Sequence, residues 1–106
     1  MSKFLIQASY TSEGIKGLMK EGGSARSAAV EQAIKGLGGK LESFYYAFGE
    51  TDVFVIADLP DATSAAAVSL TVNAAGGART LTIPLMTPAD MDAASRMSVQ
   101  YRAPGR

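Results

Sequence analysis

The sequence predicts one α+β domain, a four-stranded antiparallel sheet with its helices on one face. Three observations predict it. The apolar pattern switches between the two-residue period of strands and the 3.6-residue period of helices in the order β-α-β-β-α-β. Glycine pairs stand where the helical patterns break, at Gly22-Gly23, Gly38-Gly39 and Gly76-Gly77. Only Gly49-Glu50-Thr51 separates the two middle strand-like runs, a connection short enough for an antiparallel hairpin.

Residues 3–9 (KFLIQAS) have the composition and length of a first strand. Thr11 is placed to cap a helix whose Ile15, Leu18 and Met19 share one face. Gly22-Gly23 interrupts that pattern, and Ser24 reads as the N-cap of a second segment. There Val30, Ala33, Ile34 and Leu37 form the apolar stripe, with Glu31, Gln32 and Lys35 opposite. Gly38-Gly39 closes the segment as a left-handed C-cap would, so the first helical region is expected to be bent or in two parts. Residues 40–48 (KLESFYYAF) and 52–59 (DVFVIADL) are the aromatic and β-branched strands of the hairpin. Pro60 stops the second of them, and Asp61 caps a helix with Ala65, Val68 and Val72 on one face, ended by Gly76-Gly77. Residues 78–85 (ARTLTIPL) are the fourth strand, with Pro84 marking an edge or a bulge. Thr87-Pro88-Ala89-Asp90 has the form of a capping box with proline at the first helical position, giving a short C-terminal helix to about Arg96. This order is the ferredoxin-like, split β-α-β pattern, and residues 1–106 contain no repeat or linker that would divide them into more than one domain.

Helices cover one face of such a sheet, and the other should be wet in a monomer. Alternation puts Phe44, Tyr46 and Phe48 on one side of the second strand and Leu41, Tyr45 and Ala47 on the other. On the third, Phe54 and Ile56 oppose Val53, Val55, Ala57 and Leu59. Two apolar faces imply a covering partner, and a second copy stacking sheet on sheet is the economical one. A homodimer or higher oligomer is therefore expected.

Composition removes whole classes of chemistry. The 106 residues include no cysteine and no histidine, so histidine-based triads, thiol catalysis, thiolate metal sites and histidine-ligated haem are all excluded. No acidic loop has calcium-type spacing, and neither metal nor cofactor is expected. Ten basic and ten acidic side chains cancel, leaving no field to attract nucleic acid or an anionic membrane. The third strand is bounded by Asp52 and Asp58 where an RNA-reading sheet would be basic. The only local bias is the solvated tail with Arg96, Arg102 and Arg106. The N-terminus runs straight into a strand-like segment without a signal-peptide pattern, and a cytoplasmic location is expected.

Few residues stand out as candidates for a site. Ser24 and Arg26 place a hydroxyl and a guanidinium at a glycine-rich helix start, a weak anion-binding pattern. Asp52, Phe54, Ile56 and Asp58 share one side of their strand, and Lys3, Leu5, Gln7 and Ser9 share one side of theirs. A ligand pocket is expected on the face away from the helices, walled by Phe44, Tyr46, Phe54 and Ile56, with Gln7, Tyr46 and Asp58 as its sparse polar groups. The hairpin register decides whether Phe44 and Tyr46 join Phe54 and Asp58, because a shift of one residue reverses every side chain. The same aromatics are equally suited to filling a subunit interface.

The run FYYAFGETDVFVIADLPD, preceded by LGGKLESFY, resembles the GYD domain family, as do IQASYTSEGIKGL near the start and ARTLTIPLMTPADMD near the end. That family carries a Gly-x-Tyr-Asp motif in the hairpin between its middle strands. Here Gly49 and Asp52 match it, and Thr51 stands where the tyrosine would be. The resemblance spans nearly the whole chain and implies the dimeric α+β barrel, in which two ferredoxin-like units pack their sheets face to face. Three functions fit it: an oligomer that binds a small organic molecule between facing sheets; a cofactor-independent oxygenase or isomerase using Tyr46, Asp58 and Gln7 as an acid/base set; and a structural assembly unit with a filled interior.

Overall fold

The chain turns at Gly22, whose φ of 87° is open to glycine and strained for other residues, and this splits the first helical region in two. The structure, a computed structural model, describes every residue from Met1 to Arg106. Its elements are β1 (Ser2–Tyr10), α1 (Ser12–Glu21), α2 (Gly23–Gly36), β2 (Lys40–Tyr46), β3 (Val53–Leu59), α3 (Ala62–Ala75), β4 (Ala78–Leu85) and α4 (Pro88–Ser95). Thr11 caps α1 by accepting the Gly14 N–H, and Asp61 caps α3 by accepting the Ser64 N–H. Two hydrogen bonds from Ser64 hold the Asp61 carboxyl below its ordinary pKa. Thr87 and Asp90 form the expected reciprocal capping box of α4. One cap differs: Gly22, not Ser24, is the N-cap of α2, and Ser24 lies inside its first turn. The backbone freedom needed at the break made glycine the boundary residue.

The four strands form an antiparallel sheet in the order β2-β3-β1-β4, and the fold is ferredoxin-like α+β. Phe4 and Ile6 of β1, with Val53, Val55, Ala57 and Leu59 of β3, point toward the helices and meet Ile34 of α2 and Ala65 of α3. Ala57 and Leu59 are fully buried, which fixes the register of β3 because a one-residue slip would expose the whole set. Pro84, which lacks an N–H, sits on the outer strand β4, and the Asn73 carboxamide of α3 accepts the Thr80 N–H of that edge at 3.1 Å.

β2 departs from simple alternation. Its register with β3 shifts between Leu41 and Ser43, so one extra residue occupies the strand. Leu41 opposite Ala57, Phe44 opposite Val55 and Tyr46 opposite Val53 therefore all lie on the helix side. Leu41 thus shares the face of Phe44 and Tyr46, contrary to the simple parity reading.

β2 ends at Tyr46, and the hairpin loop is longer than its three central residues. Ala47 N–H donates to the Asp52 carbonyl at 2.8 Å, enclosing Phe48 to Thr51. Asp52 then clamps the loop to β1: its N–H donates to Ala8 O at 2.9 Å, and its carboxylate accepts the Tyr10 N–H at 2.8 Å. A hydrogen bond to a charged acceptor contributes roughly 1.5–3 kcal/mol, so Asp52→Ala is expected to destabilise the chain by about 2 kcal/mol. Asp52→Asn, which retains an acceptor, should recover most of that. The midpoint of urea unfolding measures both.

Beyond β4 the chain leaves the body. Every residue from Met86 to Arg102 is exposed. The radius of gyration is 16.9 Å, where a compact chain of this length has about 13 Å. No helix is long and apolar enough to cross a membrane.

Candidate functional site

The sheet face away from the helices is built by β1, β3 and β4 in register. Three cross-strand rows define it: Ser9 beside Arg79; then Phe54, Gln7 and Leu81; then Ile56, Leu5 and Ile83. Tyr45 lies beside Phe54 and Ser43 beside Ile56. The middle of this face is apolar, and Tyr45, Phe54, Leu81 and Ile83 are exposed on it. Its two ends are polar and differ in character.

One end carries an ion cluster of one ammonium and two carboxylates. Lys3 Nζ donates to Glu42 Oε2 at 3.0 Å and to Asp58 Oδ1 at 3.1 Å. The Glu42 hydrogen bond, then that of Asp58, raises the Lys3 pKa above its ordinary value. The β2 bulge brings Glu42 to this place.

The other end is a groove of about 400 Å³ whose lining includes Gln7, Ser9, Thr51, Arg79 and Leu81. The clamped hairpin loop forms one wall. Ser9 Oγ donates to Glu50 O at 2.6 Å, and Thr51 Oγ1 lies 3.4 Å from Gln7 Oε1, to which it donates. Arg79 has no carboxylate within ion-pair distance.

The structure divides the residues that sequence reasoning grouped. Gln7, Phe54 and Asp58 are on the open face, with Asp58 in the ion cluster and Gln7 in the groove. Phe44 and Tyr46 are on the opposite face, so a single wall of Phe44, Tyr46, Phe54 and Ile56 does not form. Likewise Tyr46, Asp58 and Gln7 do not converge as an acid/base set. The cause is the register, which pairs Tyr46 with inward-facing Val53, and the bulge that displaces the earlier part of β2.

Phe44 and Tyr46 instead pack edge to face, with ring centroids 5.1 Å apart, beside the start of α2. The Tyr46 hydroxyl donates to Gly23 O at 2.9 Å. A second groove of about 570 Å³ lies here, with Ser24, Ser27, Glu31 and both rings in its lining. Burial pushes the neighbouring Tyr10 phenol up to about 12, with the proximity of Tyr46 adding to it. Burial likewise raises Tyr46. Arg26 Nε lies 3.4 Å from Glu21 Oε1, so its charge already has a partner.

Arg79 and Thr51 were missed in the sequence. The available signal for Arg79 was its parity with Leu81 and Ile83, obscured because the run NAAGGAR reads first as a helix end. Thr51 was noticed only for standing in the place of a motif tyrosine.

The sequence pattern of the GYD domain matches residues 4–95, from the first core residue of β1 to the last residue of α4. The chain belongs to the GYD domain family. No curated protein and no solved structure matches it. In this GYD domain the retained motif residue Asp52 is the loop clamp, and Thr51 beside it lines the open-face groove.

Proposed function

We propose that this GYD domain works as a homo-oligomer, in its simplest form a dimer, that encloses a small organic molecule between the open faces of two sheets. The observation that carries the reading is unburied surface. The chain exposes 7526 Å², whereas a compact monomer of 11.0 kDa exposes roughly 5,600 Å². Two groups of large apolar side chains stand exposed together. One is in the middle of the open face. The other is on the projecting C-terminal arm, where Met91, Met97, Val99 and Tyr101 are exposed. α4 has a complete capping box yet buries none of its residues, and an isolated eight-residue helix is marginal in water. A second copy supplies what both surfaces lack. The polar groove beside the apolar middle gives the enclosed space the usual form of a small-molecule site.

Light scattering at micromolar concentration, followed by native mass spectrometry of freshly purified protein, tests the reading. A particle of at least twice the chain mass is expected, with a small molecule carried by part of the population. An 11.0 kDa particle would refute the assembly. An oligomer whose open faces pack with no room between them would leave a structural unit without a ligand.

A further inference from the structure

We propose that the groove at the Gln7–Arg79 end of the open face binds a small organic carboxylate, with Arg79 as the anchor of its charge. This rests on the reading that the open face takes a small molecule, and it names the chemical class.

The argument is an account of which polar groups are already satisfied. Ser9 has one hydroxyl proton, and Glu50 O takes it at 2.6 Å. Thr51 gives its proton to Gln7 Oε1, and this orientation leaves the Gln7 amide nitrogen with no protein acceptor. Asn73, at the rim, is used at both ends. Its nitrogen donates to Ser69 O at 2.6 Å and to Thr80 Oγ1 at 2.8 Å, and its oxygen accepts the Thr80 N–H. Asp52, the carboxylate that follows Thr51, is held by the Tyr10 N–H. The guanidinium of Arg79 remains, permanently charged, with planar donors and no carboxylate partner. The unpartnered donors left in the groove are the Gln7 amide and the cationic Arg79 guanidinium. A carboxylate matches that set bidentately, whereas an amine or a metal cation does not.

The rows of the sheet set the rest of the ligand. Arg79 and Ser9 share the outermost row, Phe54, Gln7 and Leu81 the next, and Ile56, Leu5 and Ile83 the third. Successive rows on one face are about 7 Å apart. A carboxylate held at Arg79 thus lays a short apolar body, a phenyl ring or a chain of a few carbons, over Phe54 and Leu81 toward Leu5 and Ile83. Gln7 lies between head and body, where its free amide reaches the second carboxylate oxygen.

The test titrates the full chain with sodium benzoate at constant ionic strength and follows backbone amide shifts by NMR. Acetate and hexanoate serve as further acids, and benzamide as the uncharged counterpart. Benzoate should shift Gln7, Ser9, Thr51 and Leu81, with a dissociation constant of about 1 mM or tighter. Benzamide should bind at least tenfold more weakly, a comparison that needs no variant. Arg79→Gln should weaken benzoate at least tenfold while leaving the rest of the spectrum unchanged. Equal binding of benzamide, equal binding by Arg79→Gln, or no open-face shift with any of the three acids would overturn the proposal. If benzamide moves Phe54 and Leu81 while the acids gain nothing from their charge, the ligand class fails and the small-molecule reading stands. If no probe of either charge moves the open face, both fail. If benzoate binds through Arg79 to a particle that light scattering finds monomeric, the carboxylate site stands and the two-sheet enclosure falls.

Discussion

Gly14→Ala is expected to destabilise the domain by about 3 kcal/mol, although the same change normally strengthens a helix by up to about 1 kcal/mol. Gly14 lies in the first turn of α1, where the β1–α1 junction is tied to the α3–β4 junction. Thr11 N–H donates to Gly77 O at 3.0 Å, and Thr11 Oγ1 donates to Gly76 O at 2.8 Å while accepting the Gly14 N–H at 3.2 Å. A Cβ on Gly14 would stand 1.8 Å from Gly77 O and 2.9 Å from Cδ1 of Tyr10. The oxygen is backbone and accepts the Thr11 N–H, so it cannot swing aside as a side-chain tip would. Gly17, one turn later in the same helix, supplies the control. A Cβ there meets nothing within 4 Å, so Gly17→Ala should stabilise by roughly 0.5–1 kcal/mol. Urea unfolding of the two variants should move in opposite directions from the wild type. A wild-type midpoint for Gly14→Ala would show that the two junctions are not held in contact.

Ile83→Asp is expected to raise the dissociation constant of the oligomer by at least about a thousandfold while leaving the single chain folded. Ile83 is 39% exposed, so the core does not depend on it. Its neighbours on the open face are Leu5 across the sheet and Leu81 and Leu85 along β4, which offer a carboxylate no partner, and the diagonal Lys3 is already held by Glu42 and Asp58. A charge taken out of water without a partner costs several kcal/mol, and in a symmetric pair each subunit brings one. Each 1.4 kcal/mol is a factor of ten, which gives the size of the effect. Ile83→Val, similar in shape and uncharged, should associate almost as the wild type does. Sedimentation equilibrium reads the association, and circular dichroism confirms that the subunit remains folded. Association undiminished in Ile83→Asp would place the interface elsewhere than on this face.

These two residues differ in how far the sequence announced them. Ile83 could be assigned to the face of Leu81 and Leu85 from alternation alone. Gly14 carried no signal, because the atom that forbids a side chain there belongs to Gly77, which lies far along the chain.

The order of elements, their caps and the chemistry available are all local properties of the chain. Thr11, Asp61 and the Thr87–Asp90 box act within one turn of themselves, so composition and spacing were enough to locate them. The lack of cysteine and histidine likewise needs no coordinates. Burial of Val53, Val55, Ala57 and Leu59 was legible as a period of two ending at Pro60. The face that Phe44 and Tyr46 occupy depended instead on the folded sheet, because a bulge of one residue and the pairing of Tyr46 with Val53 reassign β2 without any change in its composition. The groove depended on it too. Gln7, Thr51 and Arg79 come from three separate segments, and they meet because β4 pairs with β1 while Asp52 fastens the hairpin loop to the end of that same strand. Local periodicity specifies which side of a strand a residue takes relative to its neighbours. The hydrogen-bonded register between distant strands specifies which residues stand together, and the groove is made of the second kind of information.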